Sequence, residues 1–168
     1  RISASGTMEM EELANNPQDT AIVLFGRSYN AFANEANKGI PLKIASRDMR
    51  VIPFDMLPCN GEHLSHDSNM YWATGNMLLR CAHFVAKHPQ LFGAFITNFS
   101  CGPDSFIVSS FRDIMKDKPN LTLELDSHTA DAGIETRIEA FLDIISAYRN
   151  NKKTVQSRTC APETNQAK

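Results

Sequence analysis

The sequence predicts an α/β fold built on one parallel sheet of about four strands in the order 2-1-3-4. Three observations carry this. Four strand-like runs, Ala21 to Phe25, Arg50 to Phe54, Leu91 to Phe99 and Leu121 to Leu125, alternate with stretches whose apolar residues recur at helical spacing. The first run, Ala-Ile-Val-Leu-Phe, shows no polar alternation, as expected of a strand covered on both faces. The second contains Pro53, which has no N–H to give to a ladder, so this run lies near an edge or ends at that point.

In chain order, Thr7 to Leu13 reads as a short capped helix closed by Asn15-Asn16-Pro17. The first strand ends in Gly26-Arg27-Ser28-Tyr29-Asn30, where a glycine turns the backbone and Arg27, Tyr29 and Asn30 can grip an anion or an acyl group; a solvated loop is the plainer alternative. Pro41 suits the first position of a helix running to about Arg47. After the second strand, Asp55 to Ser68 is a long loop holding Cys59, His63 and His66. Their donor atoms suit a metal, although the spacing matches no established pattern, and a loop thiol is the competing reading of Cys59.

Met70 to His88 is the longest predicted helix, with Met77, Leu78, Cys81, Phe84 and Val85 on one stripe and Pro89 as its stop. Cys81 therefore reads as core, and so do Tyr71 and Trp72 at the helix start, with packing beside the loops as the alternative for these two. Phe106 to Met115 and Thr136 to Asp143 are further amphipathic runs. Past Asn150 the composition turns polar. The expected division is an α/β domain over 1–150 and a polar tail or linker over 151–168, with Cys160 an incidental thiol.

A 168-residue chain with 42% apolar residues and net charge −2 has the composition of one globular domain. Its basic residues are scattered, which argues against a nucleic-acid partner; the cluster Arg149 to Lys153 reads as a helix end complementing its dipole. No apolar run approaches membrane-spanning length and no secretory leader is visible, so the expectation is a cytoplasmic protein without a membrane partner. Four cysteines without a C-x-x-C pair, in that compartment, argue against a disulfide framework. Because the sequence begins at Arg1 and not at Met, it reads as a piece of something longer.

In a parallel sheet the loops after the strands share one rim, where such folds bind ligands. These are 26–33, 55–68, 99–104 and 126–136. On that rim Cys101 follows a strand and precedes a helix that Asp104 or Ser105 can cap, a setting that favours a thiolate able to ligate iron or zinc or to attack as a nucleophile; a small buried thiol is the alternative. The last loop gathers Asp126, His128, Asp131, Glu135, Arg137 and Glu139. Capping and a plain ion pair would also explain these residues, while His128 is the one candidate base for nucleophilic chemistry at Cys101.

Four motifs carry a resemblance: Gly26-Arg27-Ser28-Tyr29-Asn30, Tyr71-Trp72-Ala73-Thr74-Gly75, Thr97 to Phe106 around Cys101, and Asp126 to Arg137. Over roughly Ala21 to Ile145 the chain resembles the large bacterial proteins called CoA-substrate-specific enzyme activase-related. These are similar to the dehydratase subunits of 2-hydroxyacyl-CoA dehydratases and benzoyl-CoA reductases. The resemblance implies a flavodoxin-like (Rossmann-like) three-layer domain whose parent holds an iron-sulfur cluster, of the 4Fe-4S type, and exchanges low-potential electrons with an ATP-driven activase to act on a CoA thioester. Cys101 carries over as a cluster ligand, and Cys59 is a second, speculative one. The expected partners are the other domains of the parent chain, the activase and acyl-CoA. One thiolate does not hold a cluster, so the isolated segment is expected to bind none and to be inactive alone. No P-loop motif is present in it. A non-catalytic scaffold or interaction domain is the competing reading.

Overall fold

A computed structural model describes residues 2–31, 33–59, 62, 70–98, 102–125 and 131–159. Strands β1 (Ala21–Phe25), β2 (Arg50–Pro53), β3 (Leu91–Asn98) and β4 (Asn120–Leu125) form one parallel sheet in the order β2-β1-β3-β4. Val23 stands opposite Ile52 on one side and Gly93 on the other. Around the sheet lie α1 (Ile2–Asn15), the short α2 (Ser28–Ala31), α3 (Asn34–Asn37) and α4 (Ile40–Ala45), then α5 (Ala73–Lys87), α6 (Gly102–Met115) and α7 (Asp131–Thr159). A 3-10 turn, Phe54–Met56, follows β2.

The absence of alternation in β1 has its reason in two separate cores. Ala21, Val23 and Phe25 pack with Leu13 of α1, Leu78 and Val85 of α5, and Ile107 and Phe111 of α6. Ile22 and Leu24 pack on the other face with Ile40 and Ile44 of α4 and with Ile134, Ile138, Phe141 and Ile145 of α7. The chain thus leaves β1 along one face and β3 along the opposite face. The carboxyl ends of β1 and β3 flank the switch point where a crevice opens in such sheets. Gly26 makes the tight junction there: its φ is +149°, and a Cβ on it would lie 2.5 Å from the Ile96 carbonyl oxygen of β3.

Several elements depart from the expectation. Helix α6 begins at Gly102 and α7 runs from Asp131 to Thr159, well past the polar shift after Asn150. Loss of an apolar stripe does not end α7 because polar contacts carry it onward. Arg149 donates to the carbonyls of Pro17 and Gln18 and to the Thr20 hydroxyl, and Lys153 to the Gln18 side chain. The cluster Arg149 to Lys153 therefore lies inside a helix, and the end-of-helix reading of it does not hold. Cys81 is buried, as its stripe position predicts, but it is joined to Cys59 in a disulfide with Cα atoms 5.2 Å apart. This corrects the expectation of unpaired cysteines: the segment after the 3-10 turn folds back onto α5, a proximity that a separation of 22 residues does not reveal.

Candidate functional site

A cavity of about 530 Å³ opens at the switch point, lined by Arg27, Ser28 and Tyr29 after β1, by Trp72, Thr74 and Leu78 at the start of α5, and by Ile107 of α6. Gly75 shapes its wall. A Cβ at that position would come within 2.2 Å of Met70 Sδ and 2.6 Å of Trp72 Nε1, so the glycine lets the indole lie against the first turn of α5.

The polar centre of the site is Arg27. Its Nη2 lies 2.7 Å from Asp104 Oδ1, and its Nη1 donates to the Tyr29 hydroxyl at 3.1 Å. Burial acts to lower the Arg27 pKa, but the Tyr29 bond and the charge of Asp104 outweigh it and hold the guanidinium above its ordinary value. Asp104 is almost wholly buried and accepts a hydrogen bond from the Thr97 hydroxyl at 3.0 Å. Its Oδ1 meets Arg27 as an ion pair rather than as an aligned hydrogen bond, and it has no hydrogen-bond partner among the described residues. Asp104 is thus no helix cap. Lying within α6, it ties the end of β3 to the loop after β1, which a residue chosen for capping alone would not do.

Of the residues expected at the site, Arg27 and Tyr29 line the cavity and Asp104 anchors it. Ser105 lies beside it in a polar groove of about 310 Å³ shared with Thr97, Asp104, Arg112 and Thr122. Asp131 and Arg137 are not brought to the pocket. Asp131 faces Lys43 of α4 at 3.2 Å, and Arg137 donates to the Thr122 carbonyl of the edge strand β4 at 2.7 Å. The side chain of Asn30, and Cys101, His128, His63 and His66, lie outside the described residues. Trp72 was expected in the core, with packing beside the loops as the alternative. It is 37% exposed and forms a wall of the cavity, and Leu78 and Ile107 were likewise not read as site residues. A lone tryptophan at the start of a helix that follows a long loop was the available signal.

No group of three or more His, Cys, Asp and Glu suited to a metal occurs among the described residues. In its disulfide, Cys59 offers no thiolate to a metal.

Fold and cavity together define an α/β domain of flavodoxin-like arrangement with a pocket at its switch point. Residues 1–57, about a third of the chain, match the family model described as the CoA enzyme activase uncharacterised domain, and the likeness rests on that segment. The matched segment contains Arg27, Ser28 and Tyr29, so one wall of the pocket falls within it. No curated protein and no solved structure gives a significant match. Among the described residues no helix is long and apolar enough to cross a membrane.

Proposed function

We propose that this chain is the pocket-bearing domain of a CoA enzyme activase-related protein akin to the 2-hydroxyacyl-CoA dehydratase and benzoyl-CoA reductase subunits, and that the rim pocket receives the acyl-pantetheine end of a CoA thioester. The supporting observation is the Arg27–Asp104 pair at the edge of a cavity walled by Trp72, Leu78 and Ile107. The charge of Arg27 is already answered by a buried carboxylate. Its remaining N–H groups are then better suited to a neutral carbonyl, such as a thioester or a pantetheine amide, than to capture of a free phosphate. The apolar walls suit an acyl chain, and the volume is in the range of small-molecule pockets.

Trp72 is the chain's one tryptophan, so its emission reports directly on the wall of the pocket. Titration with an acyl-CoA thioester is expected to change that emission saturably, with Arg27→Gln weakening binding about tenfold or more. An emission unchanged at millimolar acyl-CoA would overturn the reading. The resemblance adds Cys101 as one ligand of a 4Fe-4S cluster in the parent protein, serving ATP-driven electron transfer with thiolates from other domains. Iron content of the parent should fall in Cys101→Ser while its circular dichroism stays unchanged; full iron content would remove Cys101 from the ligand set.

A second reading, an interaction domain, has its own observation. Tyr71 is 91% and Phe106 49% exposed, and each is the chain neighbour of a pocket-lining residue. Aromatic surface of this kind is typical of contacts with another domain. Under that reading Trp72 emission responds to the remainder of the parent protein and not to acyl-CoA.

A further inference from the structure

Arg27, Lys43, Arg47, Arg50 and Lys87 each face a carboxylate. Lys118, Arg149, Lys152 and Lys153 have no such partner among the described residues, and they lie together at the opposite edge of the sheet. Lys118 precedes β4, and Arg149 reaches the turn before β1. A cavity of about 250 Å³ lies there, lined by Pro17, Gln90, Tyr148, Arg149, Lys152 and Lys153. The Lys152 ammonium stands 4.8 Å from the centre of the Tyr148 ring, and that of Lys118 5.1 Å from the centre of the Phe92 ring. The two rings meet edge to face at 6.0 Å, so the ammonium groups flank one aromatic pair.

Holding α7 to the turn before β1 does not require this much charge. Arg149 and Lys153 already make those bonds, whereas the Lys152 ammonium contacts only the Tyr148 ring among the described residues. Burial, and after it the charge of Lys152, push the Lys118 pKa down to about 8, as expected where like charges gather without an anion. We propose that this amino-edge cavity binds a multiply charged, phosphate-type anion, held by Lys152 and Lys153 with Arg149 behind them. The cavity is large enough for a pyrophosphate-sized group.

The test is titration of the full isotope-labelled chain with inorganic pyrophosphate at constant ionic strength, followed by amide resonances. Saturable shifts confined to Gln90, Lys118 and the stretch Tyr148 to Lys153 are expected. Lys152→Gln with Lys153→Gln should cut affinity about tenfold or more. Lys152→Gln alone, which breaks no hydrogen bond to the turn before β1, should weaken binding in the same direction and covers the case in which the double variant is unfolded. Non-saturable shifts, shifts reproduced by chloride at equal ionic strength, or an affinity unchanged in Lys152→Gln would each overturn the proposal. Because the probe reports at the edge opposite Trp72, failure here is distinct from failure of the acyl-CoA reading.

Discussion

The two edges of the sheet treat buried charge in opposite ways. At the carboxyl edge, Arg27 is tied to the buried carboxylate of Asp104, which is itself hydrogen-bonded by Thr97. At the amino edge, the Lys118 ammonium is buried with the carbonyls of Val85 and His88 and the face of Phe92 as its partners. Those carbonyls close α5, whose negative dipole end favours a cation there. A carboxylate partner fixes a cation and cancels its charge, while carbonyls satisfy its N–H groups and leave the charge in place. The first arrangement makes a preorganised pocket. The second leaves a cation against the Phe92 ring, behind the cavity that Tyr148, Lys152 and Lys153 line.

The largest expected effect breaks the carboxyl-edge pair. Asp104→Ala removes the Thr97 acceptor and leaves Arg27 half-buried without a counter-charge, so unfolding stability should fall by roughly 2–4 kcal/mol in urea titration. A fall under about 1 kcal/mol would place the pair with exposed surface ion pairs, whatever its geometry.

A somewhat smaller effect probes the amino edge through pH. The Lys118 pKa is about 8 in the folded chain, against 10.5 for an ordinary lysine. Between these values the unfolded chain holds the proton that the folded chain has released, so stability rises with pH across that window and is least below it. The gain should be roughly 1–3 kcal/mol. Lys118→Met should flatten this slope relative to the parent chain, and equal slopes in the two proteins would assign the pH dependence to other groups.

The smallest expected effect sharpens the difference in shape. Gly75→Ala gains helix propensity of up to about 1 kcal/mol but drives a Cβ into Met70 and Trp72, so net stability should move by less than about 1 kcal/mol. Trp72 emission should nevertheless shift to the red as the indole leaves the wall. An unchanged spectrum would show that Met70 alone yields.

Local pattern made much of the fold legible. The β1 run, the stripe of α5 and the Pro53 edge signal correspond to a double-sided core, a helix buried along Leu78, Cys81 and Val85, and an edge strand. Arg27 and Tyr29 were legible as pocket residues because a glycine after a buried strand marks the rim. Trp72 was left between core and loop, because an aromatic at a helix start looks the same in sequence whether it faces a core or a cavity. The cysteine pair and the reach of α7 were not legible, since both depend on contacts between segments far apart in the chain.

By itself, then, the sequence determined the strand order and the rim that the strands' carboxyl ends share, because the parallel crossover leaves few alternatives. Only the tertiary structure decided which charges are answered and which are not. Arg27 just follows β1 and Lys118 just precedes β4, and neither stretch of sequence shows which group the cation will meet. What separates them is what packing brings to each: the Asp104 carboxylate 2.7 Å from Arg27, and for Lys118 burial first and then the charge of Lys152.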